Sequence, residues 1–330
     1  MVGLGEAPRK TMSVSEAGDR WLWKSHLLPV LAFLLLCILF TVLFVAGALI
    51  VAGAMSGRDS SEPGLVSDAT GLLVIVLVNL IVISSLILTS RWSGWRLALG
   101  LSFSYYGAVT VVMQVETWYF LSASTLPPEL LPRLFLMGIP TAFVFIPIAV
   151  WTIGRRGNET LPPVAAQISP AEWCWKLPVL AFSYVILYWS AGYFIAWQNP
   201  QLRAFYGHHG DPLPFLAHTA ATIRQDPFFF PFQLLRGLLW VVCGLPVIRG
   251  SRVGPWWTAM IVGCFFSVPQ NVVHITANAW LPLASVRMSH LIETAASTFL
   301  FGALCGWLLH RPHRSFGDLF GRAVPMRHLQ

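Results

Sequence analysis

The sequence predicts an all-α, polytopic membrane protein whose eight transmembrane helices form two parallel four-helix repeats. Three observations predict it. Hydrophobic residues make up 56% of the 330-residue chain and charged residues only 11%, against roughly 25% charged in a soluble domain. Apolar runs recur along the chain, each near the length of about 20 residues that crosses a bilayer core as a helix, and mean hydropathy is +0.66. The opening motif occurs twice. Trp21-Leu22-Trp23-Lys24 and Leu28-Pro29-Val30-Leu31-Ala32-Phe33 return as Trp173-Cys174-Trp175-Lys176 and Leu177-Pro178-Val179-Leu180-Ala181-Phe182.

Taken in order, residues 1–24 form a polar tail carrying Arg9, Lys10 and Arg20. The apolar run that follows Lys24 reaches about Met55, too long for a signal-peptide core, so it reads as an uncleaved first span near 27–54. Spans near 71–90, 97–120 and 134–154 complete a first repeat over 25–154. Residues 155–172, with Gly157, Pro162, Pro163 and Pro170, form a linker between the repeats. Spans near 176–197, 229–248, 256–279 and 288–309 make the second repeat over 173–310, and 311–330 is a C-terminal tail. Lipid leaves no backbone polar group unpaired, so these runs must be helical. They lack the strict alternation of a β-barrel.

Charge sets the orientation. Of the 21 Lys and Arg residues, fifteen fall in alternate segments: Arg9, Lys10, Arg20, Lys24, Arg91, Arg96, Arg155, Arg156, Lys176, Arg249, Arg252, Arg311, Arg314, Arg322 and Arg327. The intervening loops hold five, namely Arg58, Arg133, Arg203, Arg224 and Arg287, and Arg236 lies inside a span. The positive-inside bias puts both termini in the cytosol, which requires an even number of spans. Trp21, Trp23, Trp92, Trp95, Trp173, Trp175, Trp256 and Trp257 all fall at the same membrane boundary, as an aromatic belt does. The compact loops point to the cytoplasmic membrane of a bacterium.

The repeat continues past its opening. Arg91-Trp92-Ser93-Gly94-Trp95 parallels Arg252-Val253-Gly254-Pro255-Trp256, and Phe143, Phe145 and Trp151 parallel Phe299, Phe301 and Trp307 at equal spacing. Four spans per unit leave the halves in the same orientation, related by an axis along the membrane normal. The longest outer loop, 198–228, contains a short amphipathic segment from Pro212 to Gln225, and Gly302 and Gly306 form a close-packing pair in the last span.

Several function classes are excluded. The net charge of +7 sits in short loops facing lipid head groups and comes with no nucleic-acid signature. Cys37, Cys174, Cys243, Cys264 and Cys305 occur singly, as apolar packing residues do. No phosphate-binding loop, dinucleotide fingerprint or nucleophile motif occurs.

Polar residues inside spans carry the functional signal, because each costs a few kcal/mol or more at the bilayer centre when unpaired. The sixth span holds Gln233 and Arg236. Ser267, Asn271, His274 and Asn278 share one face of the seventh, and Arg287, His290, Glu293 and Ser297 one face of the eighth. The third adds Gln114 and Glu116. Topology puts all of them in the outer half of the membrane. Arg236, Asn271, His274, Arg287, His290, Glu293 and Glu116 are thus candidate ligand-binding residues, with Glu293 expected to pair with Arg236 or Arg287. The charged residues of the sixth and eighth spans have apolar counterparts in the first repeat, which makes the second repeat the candidate site and the first a scaffold.

The function that this pattern favours is binding or transport of a small polar or anionic solute through an outward-facing pocket. A membrane-embedded enzyme using His290 and Glu293, and a non-catalytic sensor or structural subunit, are the alternatives. The expected partners are lipid and that solute, not nucleic acid. No cofactor is predicted. For metal or haem, the available imidazoles are His208 and His209 in the outer loop, with His218, His274 and His290, but their spacing matches no metal motif. An alkaline phosphatase reporter inserted at 206–212 is expected to be active, and a fluorescent protein on either tail to fluoresce in the cytosol. Tails on opposite sides would remove the even-span topology.

Overall fold

The computed structural model describes residues 28–52, 61–120, 130–154, 168–278, 281–313 and 318. The N-terminal tail, most of the linker and nearly all of the C-terminal tail lie outside them. Eight helices are long and apolar enough to cross a membrane: α1 (Leu28–Ala52), α2 (Asp68–Leu88), α3 (Gly94–Phe120), α4 (Leu130–Ile153), α5 (Pro170–Ala196), α8 (Phe229–Gly250), α9 (Pro255–Ile275) and α10 (Ala284–His310). Two short helices, α6 (Pro200–Phe205) and α7 (Phe215–Gln225), occupy the long loop between α5 and α8. Among the described residues there is no strand, and the chain is an all-α polytopic membrane protein.

The helix ends follow local chemistry. The fifth span starts at Pro170, earlier than hydropathy suggests, because Ser169 caps it by accepting from the Glu172 N–H and proline suits a first turn. One turn on, the buried ammonium of Lys176 meets Glu172 at 2.8 Å, so a charged segment remains helical. The seventh span ends sooner than predicted. Pro269 lies in its last turns, and the chain tightens into a 3-10 turn over Val272–Ile275. Asn278 is therefore beyond the helix, off the face it was predicted to share. Helices α3, α4 and α5 each contain a π-turn, at Gly107–Val111, Pro140–Phe145 and Gly192–Ala196.

Helix α1 packs on α4, α5 on α8 and α10, and α9 on α10. The N- and C-terminal halves meet along a seam where α2 lies against α9 and α3 against α8. The inner part of the bundle is filled by apolar and aromatic side chains, among them Leu101, Phe145, Trp240, Phe265, Phe266 and Phe301, all buried. Around the outside, Leu34, Leu35, Ile38 and Leu49 of α1 and Phe182 and Ile186 of α5 are exposed, as a lipid-facing surface requires.

The tightest helix pair, α9 with α10, depends on small residues. A Cβ on Gly302 would stand 2.7 Å from the Val262 carbonyl oxygen, and one on Gly306 2.7 Å from Ala259 Cα. Both obstacles are backbone and cannot turn aside. Gly306→Val is expected to push the two helices apart and cost about 1–3 kcal/mol, read as a lower melting temperature in detergent. Gly254→Ala, where a Cβ meets nothing within 4 Å, should leave it unchanged. Equal melting of both variants would contradict the packing.

Candidate functional site

Five of the spanning helices deliver polar groups to one end of the bundle, the end opposite the loops at 89–93 and 251–254. Helix α8 contributes Arg236 and Gln233, 3% and 0% exposed. From α3, Glu116 meets the guanidinium with both carboxylate oxygens. Arg236 Nη1 donates to Oε1 at 2.6 Å and Nη2 to Oε2. A planar fork on a carboxylate is the strongest geometry available to an ion pair. The Tyr188 hydroxyl, from α5, donates to the same Oε1 at 3.0 Å, and Gln233 Oε1 accepts from Nη1 at 3.4 Å. The rings of Tyr188 and Tyr184 lie 5.4 and 5.8 Å from the guanidinium carbon, close enough for cation–π attraction.

The second group is built on α10. Glu293, buried, stands 3.5 Å from Nδ1 of His290 one turn before it. His290 Nε2 lies 3.1 Å from the hydroxyl of Tyr206, which follows α6. His274, on the 3-10 turn that ends α9, sits with its ring centre 6.4 Å from that of His290. Asn271 is held by its own helix, donating to the Ser267 carbonyl at 2.7 Å, and its side-chain oxygen takes the Thr294 hydroxyl of α10. The Ser267 hydroxyl crosses to the Ala295 carbonyl at 2.8 Å, which fixes the register of the two helices.

The predicted residues therefore separate into roles. Glu116 and Arg236 form an ion pair, the Glu293 carboxylate faces the His290 imidazole at 3.5 Å, and His274 and Asn271 stand beside them on α9. The predicted pairing is corrected. Arg236 takes Glu116, and Glu293 takes His290. The guanidinium of Arg287, fully buried, instead donates to four backbone carbonyls: Leu281 and Pro282 at 2.8 and 2.9 Å, Glu62 and Pro63 at 2.8 and 2.6 Å. It ties the loop before α10 to the segment before α2, because carbonyls at these irregular turns have no helical partner. Glu116 also corrects the picture of a first half that only supports, since that half supplies the carboxylate for Arg236.

Sequence reasoning missed Tyr184, Tyr188 and Tyr206. The i, i+4 spacing of the first two puts both hydroxyl-bearing rings on one face of an otherwise apolar span, and that was the available signal. The outer-loop histidines go elsewhere. His208 and His209 are exposed. His218 on α7 stacks on Trp189, with ring centres 5.1 Å apart, and touches Tyr193 and Trp197. Burial among these rings, and then the neighbouring His208, lowers the His218 pKa. The described residues contain no group of three or more His, Cys, Asp or Glu placed to hold a metal ion.

Several buried polar atoms in this layer have no partner among the described residues: Arg236 Nε, Gln233 Nε2, Gln114 Oε1 and His274 Nδ1. Such atoms need water or a polar solute. No family profile, curated protein or solved structure matches this chain.

The ion pair supplies a test of its own. Glu116→Gln leaves a buried guanidinium without its counter-charge and is expected to cost about 3–5 kcal/mol. The double variant Glu116→Met, Arg236→Met removes both charges and should recover most of that loss. Thermal unfolding in detergent reads both. A single variant as stable as the native protein would show that the pair is solvated.

Proposed function

We propose that this integral membrane protein binds a small polar solute in an outward-facing site formed by Glu116, Gln233, Arg236, Asn271, His274, His290 and Glu293, and presents it for transport. The observation that carries the reading is the set of unpartnered buried polar atoms gathered about two carboxylates of unlike surroundings. A network serving only to hold helices together is expected to close on itself. The apolar packing of Leu101, Trp240, Phe265, Phe266 and Phe301 on the inner side fits a site reached from outside. The charge of each arginine is already matched, Arg236 by a carboxylate and Arg287 by four carbonyls, although the Nε of each is left without a partner among the described residues. Glu293 has only His290. That balance favours a neutral or cationic solute over the anion considered from sequence.

We further propose that residues 25–154 and 173–310 are duplicated units. Equivalent residues make equivalent contacts in each. Trp95 packs on Trp151 and Trp256 on Trp307, with ring centres 4.2 and 6.3 Å apart. Tyr105 bonds Asn79 at 2.6 Å where Phe266 packs on Trp240 at 4.5 Å. On this reading the tails face the cytosol of a bacterium and the site faces outward.

A membrane-embedded enzyme is the second reading. One arrangement favours it: His290 stands between Glu293 and the Tyr206 hydroxyl, where an imidazole can relay a proton.

The test is a thermal-shift panel of amines, amino acids, sugars and carboxylates on the purified protein. A bound solute at a hundred times its Kd should add about 2.7 kcal/mol of stability, and Glu293→Gln should abolish the shift without lowering the melting temperature of the free protein. No shift from any class, or a shift that survives in Glu293→Gln, would overturn the assignment.

A further inference from the structure

The two halves also meet at the opposite end of the seam, in a small structure of their own. Ser90, after α2, and Ser251, after α8, form an isolated antiparallel bridge. The Arg91 N–H donates to the Gly250 carbonyl at 2.8 Å, and the Arg252 N–H to the Thr89 carbonyl at 2.9 Å. The register of this bridge pairs the residues that the repeat makes equivalent.

The bridge gathers cations. Arg91, Arg249 and Arg252 all lie within two residues of the paired serines, and Arg91 Nε donates to the Arg249 carbonyl at 3.0 Å. Arg96, in the first turn of α3, lies over the Trp92 ring at 4.6 Å. Among the described residues, none of the four forms an ion pair with a carboxylate. The ion pairs among the described residues are Lys176–Glu172, Arg236–Glu116 and His290–Glu293. Arg249 Nη1 is buried and has no partner among the described residues, and neither has Nε2 of the buried His310 at the end of α10, which lies within electrostatic reach of Arg91. Burial first, then the repulsion of Arg96 and Arg249, lowers the Arg91 pKa.

Like charges held this close, with a buried guanidinium N–H still free to donate, call for an anion. Guanidinium groups match phosphate oxygens in geometry as well as charge. The level in the membrane narrows the source. Trp256 and Trp257, each 70% exposed, and Trp95 stand beside the cluster, and tryptophans of this kind mark the head-group layer. Basic pockets between spans on the cytosolic side suit anionic lipid head groups.

We propose that Arg91, Arg249 and Arg252 form a binding site for a phosphate-bearing anion, the head group of an anionic phospholipid of the inner leaflet, held across the junction of the two halves. Each half donates arginine, so the bound phosphate neutralises a repulsion that otherwise pushes the inner ends apart. This site is independent of the outer one.

Native mass spectrometry of the full chain released from detergent tests it. Added phosphatidylglycerol is expected to leave bound-lipid peaks that phosphatidylcholine does not. The triple variant Arg91→Gln, Arg249→Gln, Arg252→Gln should weaken phosphatidylglycerol retention at least tenfold. Arg252→Gln alone, an exposed residue that leaves the backbone bridge intact, should weaken it severalfold and guards against misfolding of the triple variant. Arg224→Gln on the outer helix α7 changes net charge equally and should have no effect. Equal retention of both lipids, or unchanged retention in the triple variant and in Arg252→Gln, would overturn the site. Displacement of the lipid by millimolar inorganic phosphate would overturn the lipid assignment in favour of a soluble phosphate.

Discussion

The buried fork between Arg236 and Glu116 constrains everything around it. It joins α3 of the first half to α8 of the second, and its position fixes Tyr188 and Gln233. Removing two charges from water costs several kcal/mol per ion, and their attraction offsets this only when geometry and further hydrogen bonds are good. Here the carboxylate receives both arms of the guanidinium and a tyrosine hydroxyl, and two aromatic faces flank the cation. The pair therefore specifies how the seam closes at the outer end. A rotation of α3 that turned Glu116 away would leave Arg236 buried and unpaired.

The eight spans were legible because hydropathy and loop charge both act over whole helices, where single-residue errors average out. The ends were less so, for local reasons. From sequence, Glu172 falls at the end of the linker and Lys176 at the start of the fifth span, and their mutual pairing makes the charged segment between them compatible with a helix that begins at Pro170. Asn278 read as a continuation of the seventh span, although Pro269 and the 3-10 turn end the regular helix before it. The polar residues were legible as a layer, because depth follows from topology. Their partners were not, because a partner depends on rotational phase. The π-turn at Gly107–Val111 widens α3 just before Gln114 and Glu116. Residues beyond it no longer face the direction that a uniform helical period, counted from Leu97 and Leu101, assigns to them.

Arg287 shows the same difference between depth and role. Sequence places it on a face with His290 and Glu293, and that spacing is real. At the start of α10, however, its arm reaches back to the carbonyls of Leu281 and Pro282 and across to Glu62 and Pro63. Prolines and irregular turns leave carbonyl oxygens unpaired, and a buried guanidinium with five donors is well suited to collect them. Both terminal nitrogens of this cation are thus taken up by carbonyls. The remaining charge in the outer layer is consequently acidic at Glu293, with only an imidazole to balance it.

The two ends of the seam are electrostatic opposites. Outside, a cation and an anion from different halves attract across a water-poor interface. At the bridge end, arginines from both halves lie close together, and two backbone hydrogen bonds, with the Arg91 Nε and the Ser90 hydroxyl donating to the Arg249 and Gly250 carbonyls, hold the loops together. Attraction between unit charges weakens steeply as the surrounding dielectric rises, so water entering beside Glu116 and Arg236 lowers the cost of parting them. An anion at the inner end has the reverse effect, because it turns a repulsive contact into an attractive one. The balance between the halves is thus set at each end by what surrounds the charged groups, while the apolar packing between the ends gives the seam a fixed middle.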